Sequence, residues 1–322
     1  MNAKLLALLA ATIGLWANDT AATLGAGGLV AVRAAGIAME SEDLAISLDR
    51  VHIRYRFRNT TARDIETIVA FPLPPLNGGD VANIPIHLPK AAALNFVDFR
   101  VSANGRSVEP KVEVRGYFEN VEITTDLARL KIPAGVLDSG ITAAVNRLSS
   151  ADRAKVTGQN WVDCKLTGDG RCWPYWQSRV QYYWTQRFPA NATVELEQSY
   201  RPVVGGGVIT MTGDPAPIVK AYCGDATTIA RVDALRKRHR SPDPDHSPLE
   251  EKRIHYILTT ANNWKGPIGS FHLTVETGSA EDILITCMPG LRQVAPTRYE
   301  VVKANFRPER DLELQIVQPV RR

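Results

Sequence analysis

The residues best suited to covalent chemistry are four cysteines, Cys164, Cys172, Cys223 and Cys287. In a chain that leaves the cytosol, an even count reads as two disulfides, with three pairings open. Cys164 and Cys172 flank a stretch containing Gly168-Asp169-Gly170, a turn signal that can fold the two sulfurs together. That leaves Cys223 to Cys287 as a long-range link across the second half. The competing reading is a zinc site. The spacing favours disulfides, because no Cys-x-x-Cys occurs and no His stands at zinc-ligand spacing beside a cysteine.

Aromatic residues concentrate between 161 and 184: Trp161, Trp173, Tyr175, Trp176, Tyr182, Tyr183 and Trp184. Exposed rings stack on sugars or on a partner's side chains, whereas buried ones only fill a core. Tyr182 and Trp184 share the apolar side of a period-two run and read as core. Trp173, Tyr175 and Trp176 lie beside the cysteine turn, outside any strand pattern, and are expected to be exposed as a binding platform. The run Arg236 to Arg240 has two readings as well: contact with an anionic lipid or polysaccharide, or cations set against the negative end of a helix.

Other motifs fall short of chemistry. Leu24-Gly25-Ala26-Gly27-Gly28 lacks the Gly-Lys-Ser/Thr ending of a phosphate loop and precedes no helix. Asp163-x-Lys165-x-Thr167 fails the alternating oxygen-ligand pattern of a calcium loop. The six histidines show no His-Glu-x-x-His spacing, and Gly-x-Ser-x-Gly is absent. With 34 carboxylates in the chain, no catalytic pair stands apart. No cofactor, metal site or catalytic residue is therefore expected.

The elements that would position these residues read mainly as strands. Val51, Ile53, Tyr55 and Phe57 alternate with His52, Arg54, Arg56 and Arg58, giving one buried and one wet face. Asn59-Thr60-Thr61 breaks that strand, and Pro72 and Pro74 end the next. Asn104-Gly105 predicts a hairpin between Leu94–Val101 and Val108–Val114. Period two returns at Val180/Tyr182/Trp184, Val194/Leu196, Phe271/Leu273/Val275, Ile283/Ile285/Cys287 and Leu312/Leu314/Ile316. One helix is predicted, with Thr227 or Thr228 as N-cap and Ile229, Val232 and Leu235 as its apolar stripe.

Residues 1–17 differ from all that follows. Lys4 precedes an uncharged run from Leu5 to Leu15, and Leu15-Trp16-Ala17 offers a small residue for cleavage, so the mature chain is expected to begin near Asn18. A buried N-terminal helix is the alternative. The run is too short for roughly 30 Å of hydrocarbon, and no later segment approaches a membrane span. Over the 322 residues, 44% are apolar, 22% are charged and the net charge is +4, values of an ordinary globular chain too weakly basic to argue for nucleic acid.

Two resemblances follow from longer segments. Val51 to Phe57, Arg58-Asn59-Thr60-Thr61, Glu66, Phe71-Pro72-Leu73-Pro74 and Asn104-Gly105-Arg106 look like the vault/inter-α-trypsin domain over about residues 45–115. That likeness implies a β-sandwich used for protein contacts. The Asp-x-Ser-x-Ser motif of that family's frequent von Willebrand A-type partner is missing. Ser41-Glu42-Asp43-Leu44, Ala70-Phe71-Pro72, Tyr183-Trp184-Thr185-Gln186, Tyr200-Arg201-Pro202-Val203-Val204-Gly205, Asn262-Asn263-Trp264-Lys265-Gly266-Pro267-Ile268 and Asn305-Phe306 with Asp311-Leu312 are similar to an exported bacterial family of unknown function, numbered 4424. This second resemblance covers nearly the whole mature chain and implies export and a β-rich fold, with no catalytic residues to carry over.

The sequence thus predicts a mainly β protein. Two β-sandwich-like domains, residues 18–120 and 177–322, are joined by an irregular, partly helical connection over 121–176. The expected role is a periplasmic or secreted, non-enzymatic binding or structural protein of the cell envelope, whose partner is an envelope protein or polysaccharide. The alternative is an envelope hydrolase whose carboxylates converge only on folding.

Overall fold

The computed structural model describes residues 19–25, 28–79, 94–166, 168–208, 214–239 and 247–321. The expected signal peptide, residues 1–17, lies outside them, as do Asn18, Arg240 and the Ser241–Pro244 stop.

The chain is mainly β, as expected. One large sheet runs β10 (Val121–Glu122), β9 (Lys111–Phe118), β13 (Gln177–Phe188), β5 (Ile65–Pro72), β1 (Thr20–Gly25) and β2 (Gly28–Val32), with β6 (Leu76–Asn77) against β13. The second runs β19 (Arg292–Ala295), β20 (Arg298–Phe306), β17 (Ile268–Glu276), β3 (Ile37–Ile46), β4 (Val51–Asn59), β14 (Thr193–Tyr200), β7 (Arg100–Ala103) and β8 (Arg106–Val108). A smaller third sheet runs β15 (Gly205–Val208), β16 (Leu249–Tyr256), β21 (Leu312–Pro319) and β18 (Ile283–Thr286).

The expected boundaries at 120 and 177 are not boundaries between sheets. In the first sheet β13 lies between β5 and β9, and in the second β14 pairs with β4 while β17 pairs parallel with β3. Strands from both expected domains therefore share each large sheet. A parallel neighbour needs a long crossover, here more than two hundred residues, which local pattern cannot reveal.

Local chemistry explains the individual elements. β4 buries Val51, Ile53, Tyr55 and Phe57 and exposes its arginines. Asn59 ends it by bridging chains: its side-chain amide donates to the Arg63 and Phe188 carbonyls at 2.8 Å, while its oxygen accepts from Thr61 N–H at 2.9 Å. Asn104 and Gly105 both take positive φ, 47° and 74°, as the tight turn joining β7 and β8 requires. The two large sheets meet through aromatic rings. Phe57 lies 6.0 Å from Phe188 and 4.6 Å from Trp264, and Phe99 stacks between Phe71 at 5.0 Å and Tyr182 at 4.5 Å.

β3 carries a bulge. Met39 faces Phe57, but the next paired residue is Ser41, so Glu40 is extra and the inward face passes from Ile37 and Met39 to Glu42, Leu44 and Ile46. Without the bulge, strict alternation would aim Glu42 outward.

Residues 121–176 hold short elements: α1 (Thr124–Arg129), α2 (Ile141–Asn146), α3 (Ser150–Gly158), β11 (Val162–Asp163) and β12 (Trp173–Pro174). Leu127, Val145, Val156 and Trp161 are buried in the same core as the sheets. On the third sheet, α4 (Ala216–Ala221) and α5 (Ala226–Arg238) cover one face, packing Val219, Val232 and Leu235 on Leu249, Ile283, Ile285 and Val317. The N-cap of α5 is Asp225 rather than Thr227 or Thr228; its carboxylate accepts from Thr228 N–H at 2.8 Å and offers a full negative charge to the helix start. Arg236, Lys237 and Arg238 close the same helix, with Arg236 on Asp233 at 2.7 Å and Arg238 on Glu281 at 2.8 Å. The opposite face of this sheet, through Ile254, Tyr256, Leu312 and Leu314, joins the main core.

The bulge sets a testable constraint. A Cβ added at Gly269 on β17 would stand 2.6 Å from the Glu40 carbonyl oxygen, a backbone atom that cannot step aside. Gly269→Ala is expected to destabilise the protein by about 1–3 kcal/mol in urea unfolding; an unchanged midpoint would show that β17 does not approach the bulge.

A candidate binding cleft

An open concavity forms where α3 meets the β11–β12 hairpin. Ser149 caps α3, its hydroxyl accepting from Asp152 N–H at 3.1 Å. Asn160, at φ 57°, ends the helix in the left-handed conformation. Trp161 N–H then reaches the Val156 carbonyl at 2.9 Å and Asn160 N–H the Thr157 carbonyl at 3.1 Å, while Trp161 and Val156 are both buried. This reversal sends the chain into β11, which pairs with β12. The Cys164–Cys172 disulfide ties the two strands together, and the Asp163 carboxylate accepts from Lys165 N–H at 2.7 Å across the turn. Tyr175 N–H donates to the Trp161 carbonyl at 2.9 Å, which anchors the residue after the hairpin.

The result is an open cleft of about 850 Å³. Arg153 and Thr157 line it from adjacent turns of α3, Asn160 from the helix end, Asp163 and Lys165 from the hairpin, and Tyr175 from just after β12. The Tyr175 ring is 40% exposed. Its walls thus offer one aromatic face, an amide, hydroxyls, a carboxylate and two cations.

Of the expected platform, only Tyr175 presents an exposed ring. Trp173 is half-buried in β12, where it pairs with Asp163. Trp176 is 0% exposed, its indole N–H donating to the Ala134 carbonyl at 2.8 Å. Ser178 uses the same carbonyl at 2.6 Å and accepts from Val136 N–H at 2.8 Å, so the loop after α1 folds down over the Trp176 ring. Trp176 is a core residue, because a ring next to β13 takes that sheet's inward alternation. Tyr182 and Trp184 are buried, as their strand pattern predicts. The second disulfide, Cys223–Cys287, links the segment between α4 and α5 to the end of β18.

Two smaller cavities also hold carboxylates. One of about 350 Å³ is lined by Glu309, Asp311 and Glu313, and one of about 270 Å³ by Tyr222, Arg253, His255 and Glu313. Burial pushes the Asp311 carboxyl up. The His255 ring 3.9 Å away, with hydrogen bonds from the Thr259 hydroxyl at 2.7 Å and from Leu258 and Thr259 N–H at 3.0 and 3.1 Å, outweighs it and holds Asp311 below the ordinary carboxylate range. An acid held ionised in this way fastens two chain segments together and is poorly suited to give up a proton. Asp19 is pushed strongly upward, chiefly by burial, against the Gln198 amide and with the nearby Glu42 carboxylate adding to the rise. It is sealed in the core and lines none of these three cavities.

The profile of the family described as "Domain of unknown function (DUF4424)" matches residues 17–315. The chain belongs to this family. No curated protein matches it. Among solved structures, a crystal structure from Legionella pneumophila subsp. pneumophila str. Philadelphia 1, described as "a putative nutrient binding protein", is similar at 17% identity and a TM-score of 0.47. That alignment covers 94% of this chain and 70% of the other, a likeness too low to carry an argument about this protein. The vault/inter-α-trypsin likeness is not shown by these comparisons.

In this DUF4424 chain, the segments that carry the family resemblance do structural work. Phe71 stacks on Phe99, and the Trp264 indole N–H donates to the Asp19 carbonyl at 2.7 Å. Asn262 donates to the Pro308 carbonyl at 2.8 Å, Asn263 to the Thr20 hydroxyl at 3.0 Å, and Asp311 holds residues 258 and 259. Residues 262–264 therefore clamp β1 and the loop before β21. The cleft is built from other residues; of these the sequence marked Tyr175 for binding and Cys164 for a disulfide, and met Asp163 and Lys165 only in a rejected calcium-loop pattern.

The contrast between two neighbouring aromatics is measurable. Trp176→Ala is expected to cost about 3–5 kcal/mol in thermal unfolding, as a filled core ring does, whereas Tyr175→Ala leaves the melting temperature within a degree or so of the parent. Equal effects would place both rings in the same environment.

Proposed function

We propose that this protein is exported to the periplasm or secreted, and acts there as a non-enzymatic binding protein for an envelope polysaccharide. Support for export comes from the leader-like residues 1–17 and the two disulfides, which persist in oxidising compartments. No helix among the described residues is long and apolar enough to cross a membrane.

The observation that carries the binding role is the cleft of about 850 Å³, lined by the exposed Tyr175 together with hydrogen-bonding side chains from α3 and a disulfide-closed hairpin. Sugars are recognised by such a combination: a ring face against their C–H surface, and amide, hydroxyl and carboxylate groups against their hydroxyls. Rigid elements under the side chains reduce the ordering cost of binding. Arg153 and Lys165 are engaged in no ion pair among the described residues, which suits an acidic polysaccharide. An envelope protein is the other class of partner, and among the described residues no acid pushed upward lines one of the three cavities above to support the hydrolase alternative.

Retention of the purified protein on acidic envelope polysaccharide tests this reading. Tyr175→Ala is expected to weaken retention at least tenfold, and Arg153→Ala to weaken it and flatten its salt dependence. Full retention by both folded variants would remove the cleft from the account.

A further inference from the structure

The outer face of the first sheet carries a second group of polar residues, next to the cleft and not part of it. Trp176 and Ser178 both bond the Ala134 carbonyl, so both side chains lie on the inner side of the sheet. Strand alternation then sends Tyr175, Gln177 and Arg179 to the outer side, in one line leading from the cleft wall onto β13. Four residues of extended chain span at most about 14 Å, so one short oligosaccharide can touch both Tyr175 and Arg179.

Arg179 stands directly opposite Arg115 on β9, and both side chains are half-buried. Like charges facing each other across strands repel, so counter-charges are needed nearby. Two carboxylates are present, and Arg115 takes both. Its Nε lies 3.2 Å from Glu113, and its terminal nitrogens 3.4 Å from Glu113 and 3.5 Å from Glu122. Glu113 is further committed to Leu29 N–H at 3.0 Å and to the Gln181 amide, and Glu122 accepts from the Tyr117 hydroxyl at 3.3 Å. Burial lowers the Arg115 pKa, but Tyr117, Glu113 and Glu122 outweigh it and hold the group above its ordinary value. For Arg179 burial prevails against Tyr117 and Glu122, with Arg115 adding to the fall. Among the described residues no carboxylate comes within ion-pair distance of Arg179.

Arg179 is nevertheless held in place. Its guanidinium carbon lies 3.6 Å from the centroid of the Tyr117 ring, and its Nε donates to Gln177 Oε1 at 3.2 Å. The fork of terminal nitrogens, which meets no carboxylate there, suits a planar two-oxygen anion.

We propose that Arg179 receives the carboxylate of a uronic acid unit, in an acidic polysaccharide that runs from Tyr175 in the cleft past Gln177 onto β13. This deepens the binding role proposed above and rests on it. A bound carboxylate supplies the counter-charge that Arg115 keeps from Arg179, and it meets a group already fixed by Tyr117 and Gln177. Tyr175 thus supplies affinity for a sugar ring, and Arg179 the preference for an acidic one.

The test measures binding of the disulfide-bonded protein to oligogalacturonate and to the same oligomer with its carboxyls reduced to hydroxymethyl groups. Arg179→Gln is expected to weaken binding of the acidic oligomer roughly tenfold and to leave the reduced one unchanged, whereas Tyr175→Ala weakens both. Saturating oligogalacturonate is also expected to slow phenylglyoxal modification of Arg179 in the parent roughly tenfold, read by mass spectrometry, which needs no variant to fold. An Arg179→Gln variant that binds the acidic oligomer as the parent does overturns the inference. So does an Arg179 modified equally fast with and without the oligomer. In either case, weakened binding by Tyr175→Ala leaves the cleft reading intact. A parent that binds neither oligomer overturns both.

Discussion

Strand β3 lies between β4 and β17, and this parallel pairing with β17 obliges the last third of the chain to fold onto the first. The other long-range contacts are consistent with that constraint. β13 fills the gap between β5 and β9, β14 extends the sheet beyond β4, and Phe57, Phe188 and Trp264, from three distant segments, meet where the two sheets face each other. One buried cluster accordingly runs from Ala21 to Leu314. The third sheet leans on it through Tyr256, and its outer face is closed separately by α4, α5 and the Cys223–Cys287 link.

Within such a core, polar groups have a defined place. The Tyr55, Tyr256, Glu42, Asp19 and Gln198 cluster sits where strands of all three sheets converge: β4 and β3, β16, and the start of β1 with β14. Hydrogen bonds between neutral tyrosines and a carboxylate are directional, so they fix how the third sheet docks more narrowly than apolar packing alone would. The cleft lies elsewhere, on short elements that are part of the same core through Trp161 and Val156 yet keep their polar faces outward. Binding surface and structural cluster are thus carried by different parts of the chain.

The sequence made some of this legible. Arginines alternating with Val51, Ile53, Tyr55 and Phe57 state plainly which face of β4 is wet, and Asn104-Gly105 names its turn. The Cys164–Cys172 pairing was readable because the intervening Gly168-Asp169-Gly170 favours a turn that can bring the two sulfurs together. The partition into an early and a late domain was drawn from proximity along the chain, and parallel pairing over long range leaves no local signature. Trp176 was misread for a related reason: it sits just before β13, and the loop that buries it, around Ala134, is forty-two residues upstream. Glu42 was hidden by the bulge, since one extra residue reverses which side chains of β3 point inward.

The central claim is that the first and last thirds of the protein form one cooperative unit. Hydrogen exchange at graded urea concentrations, read by mass spectrometry on peptides covering β4, β13 and β17, tests it most directly. The account predicts that all three lose protection together at a single urea concentration. Loss of protection in β17 while β4 stays protected would contradict it.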